Sequence, residues 1–301
     1  MRRMITYCLV LALGGIVSVL VLTGCYNAHA RSVLRDRLEN APREPGSNIL
    51  RGAEPVTVDR GRPRACLLLH GFMSSPADFG ELPEALDRAG WDVDAPLLPG
   101  HGRDPRELRN VTAEDLISFA EEKLEALSQR YDTVALGGFS MGGAMALILT
   151  DEMEPEATFL VNPYLRSTYH LRYVLPVRWW HAVLSPLLEY GVHGGRIPVN
   201  RPEGQESAVV YHVAPASIFA EVIKLSDMAR ASQHPNVPVL MAVSRSDDTA
   251  SSRACRDFFE KTAGRHDEIK LFERSNHLLL LDYDRGAAIE AIVDFLEGGT
   301  E

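Results

Sequence analysis

Short apolar runs alternate with amphipathic stretches along most of this 301-residue chain. The run Cys66-Leu67-Leu68-Leu69 is apolar without alternation, which is typical of a strand buried on both faces of a parallel sheet. Strands are predicted over residues 55–59, 65–69, 92–98, 132–137, 157–162, 237–244 and 268–273. The pattern therefore predicts an α/β fold, a doubly wound and mostly parallel sheet with helices on both faces.

Amphipathic segments between these runs predict the helices. They are expected over residues 76–89, 112–127, 141–152, 215–231, 251–262 and 285–296. Thr112 followed by Asp115 three residues later resembles a capping box, which marks a helix N-terminus. Leu116, Ala120 and Leu124 then fall on one apolar face of the helix.

One long interval, residues 163–235, has no convincing core strand. It contains Trp179, Trp180, Leu184 and Tyr190, followed by a stretch rich in glycine and proline. An insert of this size in a compact domain is usually functional. We therefore predict a helical cap over 163–235, inserted between two parts of the core at 55–162 and 236–301.

The N-terminus has the pattern of a targeting segment. Arg2 and Arg3 precede an apolar run that ends in Leu22-Thr23-Gly24-Cys25, and this order predicts a secretory signal over residues 1–24. The last four residues resemble a bacterial lipobox, which implies a lipid-modified Cys25 at the start of the mature protein. The alternative is an uncleaved anchor, because about 18 apolar residues can span a bilayer. Both interpretations place the following domain outside the cytoplasm, attached to a bacterial membrane.

Residues 25–54 are polar and are predicted to form a tether, with one short helix at about 31–39. The formal net charge of −10 argues against a nucleic-acid partner, which requires concentrated Lys and Arg. Cys66 and Cys255 remain beyond the targeting segment, and an extracytoplasmic location permits a disulfide between them. Because both lie in apolar segments, buried free thiols are the favoured prediction. No Cys/His spacing suggests zinc.

The pentapeptide Gly138-Phe139-Ser140-Met141-Gly142 lies between a predicted strand and a predicted helix. A serine with a glycine two residues away on each side is the signature of a nucleophile elbow. The turn is so tight that a side chain at either glycine would collide with its neighbours. We therefore predict Ser140 as a nucleophile.

A serine hydroxyl needs a base to accept its proton and an acid to orient that base. On a doubly wound sheet the acid and the histidine are expected in that order, each just past a strand. His277 follows the predicted strand at 268–273. Asp247 and Asp248 both follow the strand at 237–244; the register favours Asp247, leaving Asp248 to cap the next helix or face water.

An oxyanion formed in the reaction also needs donors. Met141 follows the nucleophile, and Phe72 follows His70-Gly71 directly after a predicted strand. The backbone N–H groups of Phe72 and Met141 are therefore the predicted oxyanion hole. His70 is predicted to support this loop, and His101 to shape its own loop.

In sequence order, His-Gly-Phe, Leu-Pro-Gly-His-Gly and Gly-Phe-Ser-Met-Gly-Gly precede Asp247 and His277. Together these motifs resemble the α/β-hydrolase superfamily, most closely its small bacterial carboxylesterases and monoacylglycerol lipases. The resemblance covers about residues 55–298. It implies hydrolysis of carboxylic esters through an acyl-enzyme, with no metal or organic cofactor. Ala250 departs from the β-branched residue that the family often has at that position.

Phe72, Met73, Phe139 and Met141 place apolar side chains near the predicted nucleophile. A medium-chain acyl ester or a monoacylglycerol is therefore the expected substrate. The cap aromatics either extend this wall or form the core of the cap. A further hypothesis is that Trp179 and its neighbours Arg172, Arg178 and Trp180 place the cap against lipid.

The alternatives are a serine peptidase or an acyltransferase on the same fold, and a non-enzymatic lipoprotein that binds an acyl ligand. The first two share the initial half-reaction with an esterase, so the triad residues do not separate them. The oligomeric state is not indicated by the sequence.

Overall fold

The computed structural model describes residues 2–168, 171–172, 175–192, 196–233 and 236–298. Its strands, in chain order, are β1 (Val56–Val58), β2 (Arg64–Leu69), β3 (Asp92–Ala95), β4 (Thr133–Phe139), β5 (Ala157–Val161), β6 (Leu171–Arg172), β7 (Leu175–Pro176), β8 (Tyr190–Val192), β9 (Val213–Pro215), β10 (Val239–Ser244) and β11 (Glu268–Phe272). Its helices are α1 (Arg2–Asn40), α2 (Leu82–Arg88), α3 (Ala113–Ser128), α4 (Met141–Met153), α5 (Val177–Leu184), α6 (Pro202–Ser207), α7 (Ile218–Ala231), α8 (Ser252–Thr262) and α9 (Arg285–Gly298).

Seven strands form one sheet in the order β1-β3-β2-β4-β5-β10-β11. All neighbouring pairs are parallel except β1 and β3, which are antiparallel. This confirms the predicted fold class. Successive residues of β2 alternate between two apolar clusters, Leu67 in one and Leu68 in the other. Because both faces are covered, the strand sequence does not alternate.

The predicted helices are present, with one change. Thr112 and Asp115 form a capping box at the start of α3, as predicted. The segment predicted as one helix over 76–89 divides into a 3₁₀ turn, Pro76–Phe79, and α2. Gly80 lies between them with φ of 51°, a left-handed conformation that breaks a continuous helix.

The inserted segment between β5 and β10 is more mixed than a purely helical cap. It contains α5, α6 and α7, and also the two-stranded antiparallel pairs β6–β7 and β8–β9. Strands of two or three residues are too short to produce a readable alternation of polar and apolar positions. α7 packs on α4, the helix that follows the predicted nucleophile.

The N-terminal segment contains more helix than the one short helix predicted within the tether. A single helix, α1, runs from Arg2 to Asn40 and includes the short helix predicted at 31–39. Leu13–Asn40 is long and apolar enough to cross a membrane by length and composition, a test that a signal sequence also passes. Ala30 and Leu34 are buried against Tyr190 and Val213 of the cap. The second half of α1 is therefore docked on the domain.

Cys66 and Cys255 are free and buried, as predicted. Cys66 belongs to the apolar cluster on one face of the sheet and Cys255 to the cluster on the other. Burial raises the pKa of both thiols, so they are unreactive structural residues.

Candidate active site

Ser140 sits at a sharp bend between β4 and α4, with φ of 53° and ψ of −113°. A Cβ atom added at Gly138 would lie 2.2 Å from the Gly142 carbonyl oxygen, and one added at Gly142 would lie 1.9 Å from the Leu69 oxygen. Both glycines are therefore required by close backbone approach. The bend holds Ser140 in a conformation that a non-glycine residue rarely adopts.

The structure brings Ser140, His277 and Asp247 together. His277 Nε2 lies 2.8 Å from Ser140 Oγ, and His277 Nδ1 lies 2.7 Å from Asp247 Oδ2. All three side chains are buried. Because the Asp247 carboxyl oxygen accepts, Nδ1 carries the proton and Nε2 is free to accept the Ser140 hydroxyl proton. Chemically, this chain of hydrogen bonds can deprotonate a serine hydroxyl.

The two candidate acids have different partners. Asp247 Oδ1 accepts hydrogen bonds from the backbone N–H groups of Thr249 and Ala250, at 2.7 Å and 2.8 Å, which fixes the carboxyl group facing His277. Asp248 instead accepts from the Asn276 side chain at 3.0 Å. Asp248 is half-buried, and it does not cap α8, because Ser251 is the residue that caps that helix.

Two asparagines that the sequence analysis did not identify position the histidine loop. Asn162, at the end of β5 with φ of 43°, donates to the His277 carbonyl oxygen at 2.7 Å and accepts from Ser244 N at 2.7 Å. Asn276 Oδ1 accepts from the N–H groups of Asp248 and His277. Asn162 is the last residue of the strand predicted over 157–162, at the sheet edge where site residues gather, and that position was the available signal.

His70 is buried, and its hydrogen bonds agree with the predicted role of supporting the loop that contains Phe72. Its Nε2 accepts from the backbone N–H of Leu98 at 3.0 Å, and its Nδ1 donates to the Gly71 carbonyl oxygen at 2.9 Å. Burial is the main cause that holds the pKa of His70 well below its usual value, and the neighbouring His101 is the second cause. A neutral imidazole thus connects the loops after β2 and β3. His101 donates to the carbonyl oxygen of Pro99 within its own loop.

A cavity of about 440 Å³ opens beside Ser140 and His277. Phe72 and Met141 both line it. Met141 is the first residue of α4, so its N–H is one of the groups that a helix leaves without an internal partner. Both residues predicted to supply the oxyanion donors therefore line the cavity that contains Ser140.

The apolar wall of the cavity comes only partly from the expected residues. Phe72, Met73, Phe139 and Met141 line it, as predicted, but the cap contributes Val210, Tyr211, Phe219, Val222 and Ile223. Of the aromatic residues proposed for this wall, Trp179 is exposed and Tyr190 is buried against α1 and Val213. The side chains of Arg172, Arg178 and Trp180 lie outside the described part of the structure.

Asp78 is a buried carboxylate at this cavity that the sequence analysis missed. Its Oδ2 accepts from the N–H of Gly71 at 2.9 Å, and its Oδ1 accepts from the hydroxyl of Ser74 at 2.5 Å. Burial raises the pKa of Asp78 to about 6, and the hydrogen bonds from Ser74 and Gly71 oppose that rise. Asp78 thus links Gly71, before Phe72, to Ser74, after it, through hydrogen bonds to one carboxylate.

The fold and the arrangement around Ser140 define an α/β-hydrolase. A family profile described as "Serine aminopeptidase, S33" (Hydrolase_4) matches residues 61–284. The chain therefore belongs to this family.

Three similar proteins can be compared over most of the chain. The thermostable monoacylglycerol lipase of Bacillus sp. (strain H-257) is 29% identical over 258 residues, covering 82% of this chain and 95% of the lipase. The carboxylesterase of Bacillus subtilis (strain 168) is 25% identical over 251 residues, covering 81% and 96%. A solved chain from work on LipS and LipT, two metagenome-derived lipolytic enzymes, shares the fold with a TM-score of 0.73 at 24% identity, covering 83% and 99%.

We expect Asp78→Asn to change how stability depends on pH. The raised pKa means that folded Asp78 keeps a proton which the unfolded chain releases, so stability falls as pH rises from about 4 to 6. The full loss, about 3 kcal/mol, should be present above pH 6. Asparagine keeps an acceptor for Gly71 N–H and removes the charge, so it should stabilise the protein more at pH 7 than at pH 4. Urea unfolding at both pH values, compared with the unchanged protein, measures this; a pH-independent difference would contradict it.

Proposed function

We propose that this protein is a serine hydrolase that cleaves medium-chain acyl esters or monoacylglycerols through an acyl-enzyme intermediate. That it is a carboxylic ester hydrolase follows from its relatives and its family. The observation that carries the serine mechanism is the hydrogen-bonded series from Ser140 through His277 to Asp247.

In the first half-reaction, Ser140 Oγ attacks the ester carbonyl carbon while His277 Nε2 takes its proton. Asp247 stabilises the resulting imidazolium and keeps its ring in place. The N–H groups of Phe72 and Met141 would donate to the oxyanion of the tetrahedral intermediate. Protonation of the leaving alcohol by His277 then leaves the acyl group on Ser140. Water, activated by the same imidazole, releases the acid.

The cavity supports an acyl chain as the bound group. Phe72 and Phe219 meet edge to face, with ring centroids 5.3 Å apart, and Val222 and Ile223 continue this wall along α7. A wall of this kind gains free energy by removing methylene groups from water, about 0.8 kcal/mol each. The relatives named for monoacylglycerol and ester hydrolysis agree with this substrate class.

A second candidate, cleavage of an amide at a peptide N-terminus, is suggested by the description of the family profile. A serine acyl-enzyme would serve both reactions, so products must separate them. The apolar wall contributed by α7 favours the ester.

We also propose that the protein is attached to a bacterial membrane on its extracytoplasmic side through a lipid on Cys25. Cys25 is exposed in α1. It is the last residue of the lipobox-like motif at the end of the apolar run. Several acyl chains, each contributing about 0.8 kcal/mol per buried methylene, would hold it firmly.

Replacing members of the triad should separate their roles. We expect Ser140→Ala and His277→Ala to lower kcat/KM for p-nitrophenyl octanoate by roughly 10⁴-fold or more. Asp247→Asn should cost about 10³ to 10⁴, because the imidazole loses its orienting acceptor. Asp248→Asn, whose partner is Asn276, is the matched control and should cost about tenfold or less. A larger loss at Asp248 than at Asp247 would transfer the acid role.

Acyl-chain length tests the substrate class. On a series of p-nitrophenyl esters and monoacylglycerols, we expect kcat/KM to peak at a medium chain, and amino-acid p-nitroanilides to be poor substrates. Ile223→Trp should narrow the cavity and move the optimum to shorter chains, whereas Ala220→Trp, on the exposed side of α7, should leave it in place. A preference for acetate in the unchanged enzyme, or faster cleavage of the anilides, would contradict the proposal.

Labelling tests the anchor. In cells fed a labelled fatty acid, the protein should carry the label, and Cys25→Ala should remove it. Cys8→Ala, within the predicted signal, is the control and should keep the label. An unlabelled protein that stays in the membrane fraction would support the uncleaved anchor instead.

A further inference from the structure

The helix α1 changes character at Cys25. Every residue of the apolar run from Leu13 to Leu22 is exposed. After Cys25, the residues that contact the domain recur at helical spacing: Tyr26, Ala30, Val33, Leu34 and Leu38 pack with Tyr190, Val192 and Val213. We call residues 26–38 the docked segment. Its contacts begin one residue after the proposed lipid site.

Polar contacts fix this segment in register. Asn27 donates its side-chain amide to the Leu187 carbonyl oxygen at 2.9 Å and accepts from the Glu189 N–H at 3.1 Å. Arg31 makes a two-pronged ion pair with the Glu189 carboxylate at 2.8 Å and 2.9 Å. Tyr26 accepts from the Val192 N–H at 2.9 Å. These bonds satisfy backbone groups on β8 and just before it, and they specify one position of the helix.

The position of Asn27 sets the height of the cap above a membrane. At 1.5 Å per helical residue, Asn27 lies about 3 Å along the axis from Cys25. Under either proposed attachment, a lipid on Cys25 or an uncleaved α1, this point would lie close to the bilayer surface. Leu187, hydrogen-bonded to Asn27, is therefore held at the same level. The segment that ends at Leu187 begins with α5, and three of its apolar side chains are exposed: Trp179, Val183 and Leu187. We call them the cap patch.

The pair of strands that receives the docked segment, β8 and β9, also contacts the wall of the cavity beside Ser140. β8 pairs with β9, and Gly191 in β8 approaches Phe219 so closely that an added Cβ would lie 2.6 Å from its ring. Phe219 lines the cavity and contacts Phe72. The docked segment therefore packs on β8 and β9, and β8 in turn packs on the wall of the cavity.

We propose that the docked segment holds the cap patch against the phospholipid surface of the bilayer that carries the anchor, so that the enzyme takes acyl substrates from that bilayer. Trp, Val and Leu side chains are suited to the boundary between headgroups and acyl chains. The inference depends on the proposed ester hydrolysis and membrane attachment, and it adds the source of the substrate.

Kinetics with the full-length protein in phosphatidylglycerol–phosphatidylethanolamine vesicles provide the test. Ala30→Asp places a carboxylate in the buried contact, whereas Ala28→Asp makes the same change at an exposed position of α1. For monoacylglycerol held in the same vesicles, we expect Ala30→Asp to lose roughly tenfold in kcat/KM, while dissolved p-nitrophenyl butyrate changes by about twofold or less. Ala28→Asp should alter neither.

A milder variant keeps the test valid if Ala30→Asp fails to fold. Arg31→Ala with Asn27→Ala removes the contacts to Leu187 and Glu189 and keeps the apolar ones and the Tyr26 hydrogen bond, and the same shift in the ratio of the two activities is expected. Equal effects on both substrates, or none, would overturn the inference. If the unchanged protein hydrolyses neither ester, the proposed function fails instead.

The position of the cap patch can be measured directly. An environment-sensitive dye on Val183→Cys should shift to the blue on vesicles, because the dye would leave water for the headgroup boundary. Cys66 and Cys255 are buried and Cys25 is exposed, so the unchanged protein treated with the same dye gives the background to subtract. The same dye on Arg253→Cys, at an exposed site of α8, should not shift. The shift at Val183 should disappear in the Ala30→Asp background. A shift that persists there would show that the patch binds lipid without the docked segment, and would contradict the proposal.

Discussion

The hydrogen bond between Ser140 Oγ and His277 Nε2 joins residues that are 137 positions apart, and the function depends on that one contact. It exists because parallel strands end at the same edge of the sheet, so that the loops after β4, β10 and β11 meet there. The strained elbow at Ser140 and the left-handed Asn162 are tolerated because buried neighbours hold both of them. A network of hydrogen bonds from Asn162 and Asn276 then fixes the histidine loop.

The acyl cavity depends on a second set of contacts, made by the inserted cap. The cap's part of the wall comes from α7 and from the segment before β9, whereas Tyr190 serves as a packing site for α1. A segment that would otherwise be a simple leader and tether therefore becomes part of the scaffold around the cavity. If the protein is attached to a membrane as proposed, this packing links the point of attachment to the wall of the cavity.

Much of this could be predicted from local patterns. All seven strands of the central sheet, the capping box at Thr112 and the elbow around Ser140 follow from apolar runs, short motifs and glycine placement. The cap residues of the cavity wall could not be predicted in this way, because Phe219 and Ile223 lie on a helix whose packing depends on contacts distant in sequence. Asp78 was missed for a similar reason: its role comes from burial beneath a loop. The docking of α1 depends on Glu189 and Val213, far along the chain.

The central claim is that an acyl group is transferred to Ser140. Mass spectrometry of peptides from an acid-quenched reaction with an octanoyl ester tests it most directly, because acid stops hydrolysis and preserves a serine ester. The account predicts an added octanoyl group on the peptide that contains Ser140, and none on that peptide from Ser140→Ala. An octanoyl group on another residue, or turnover that continues in Ser140→Ala at the normal rate, would contradict it.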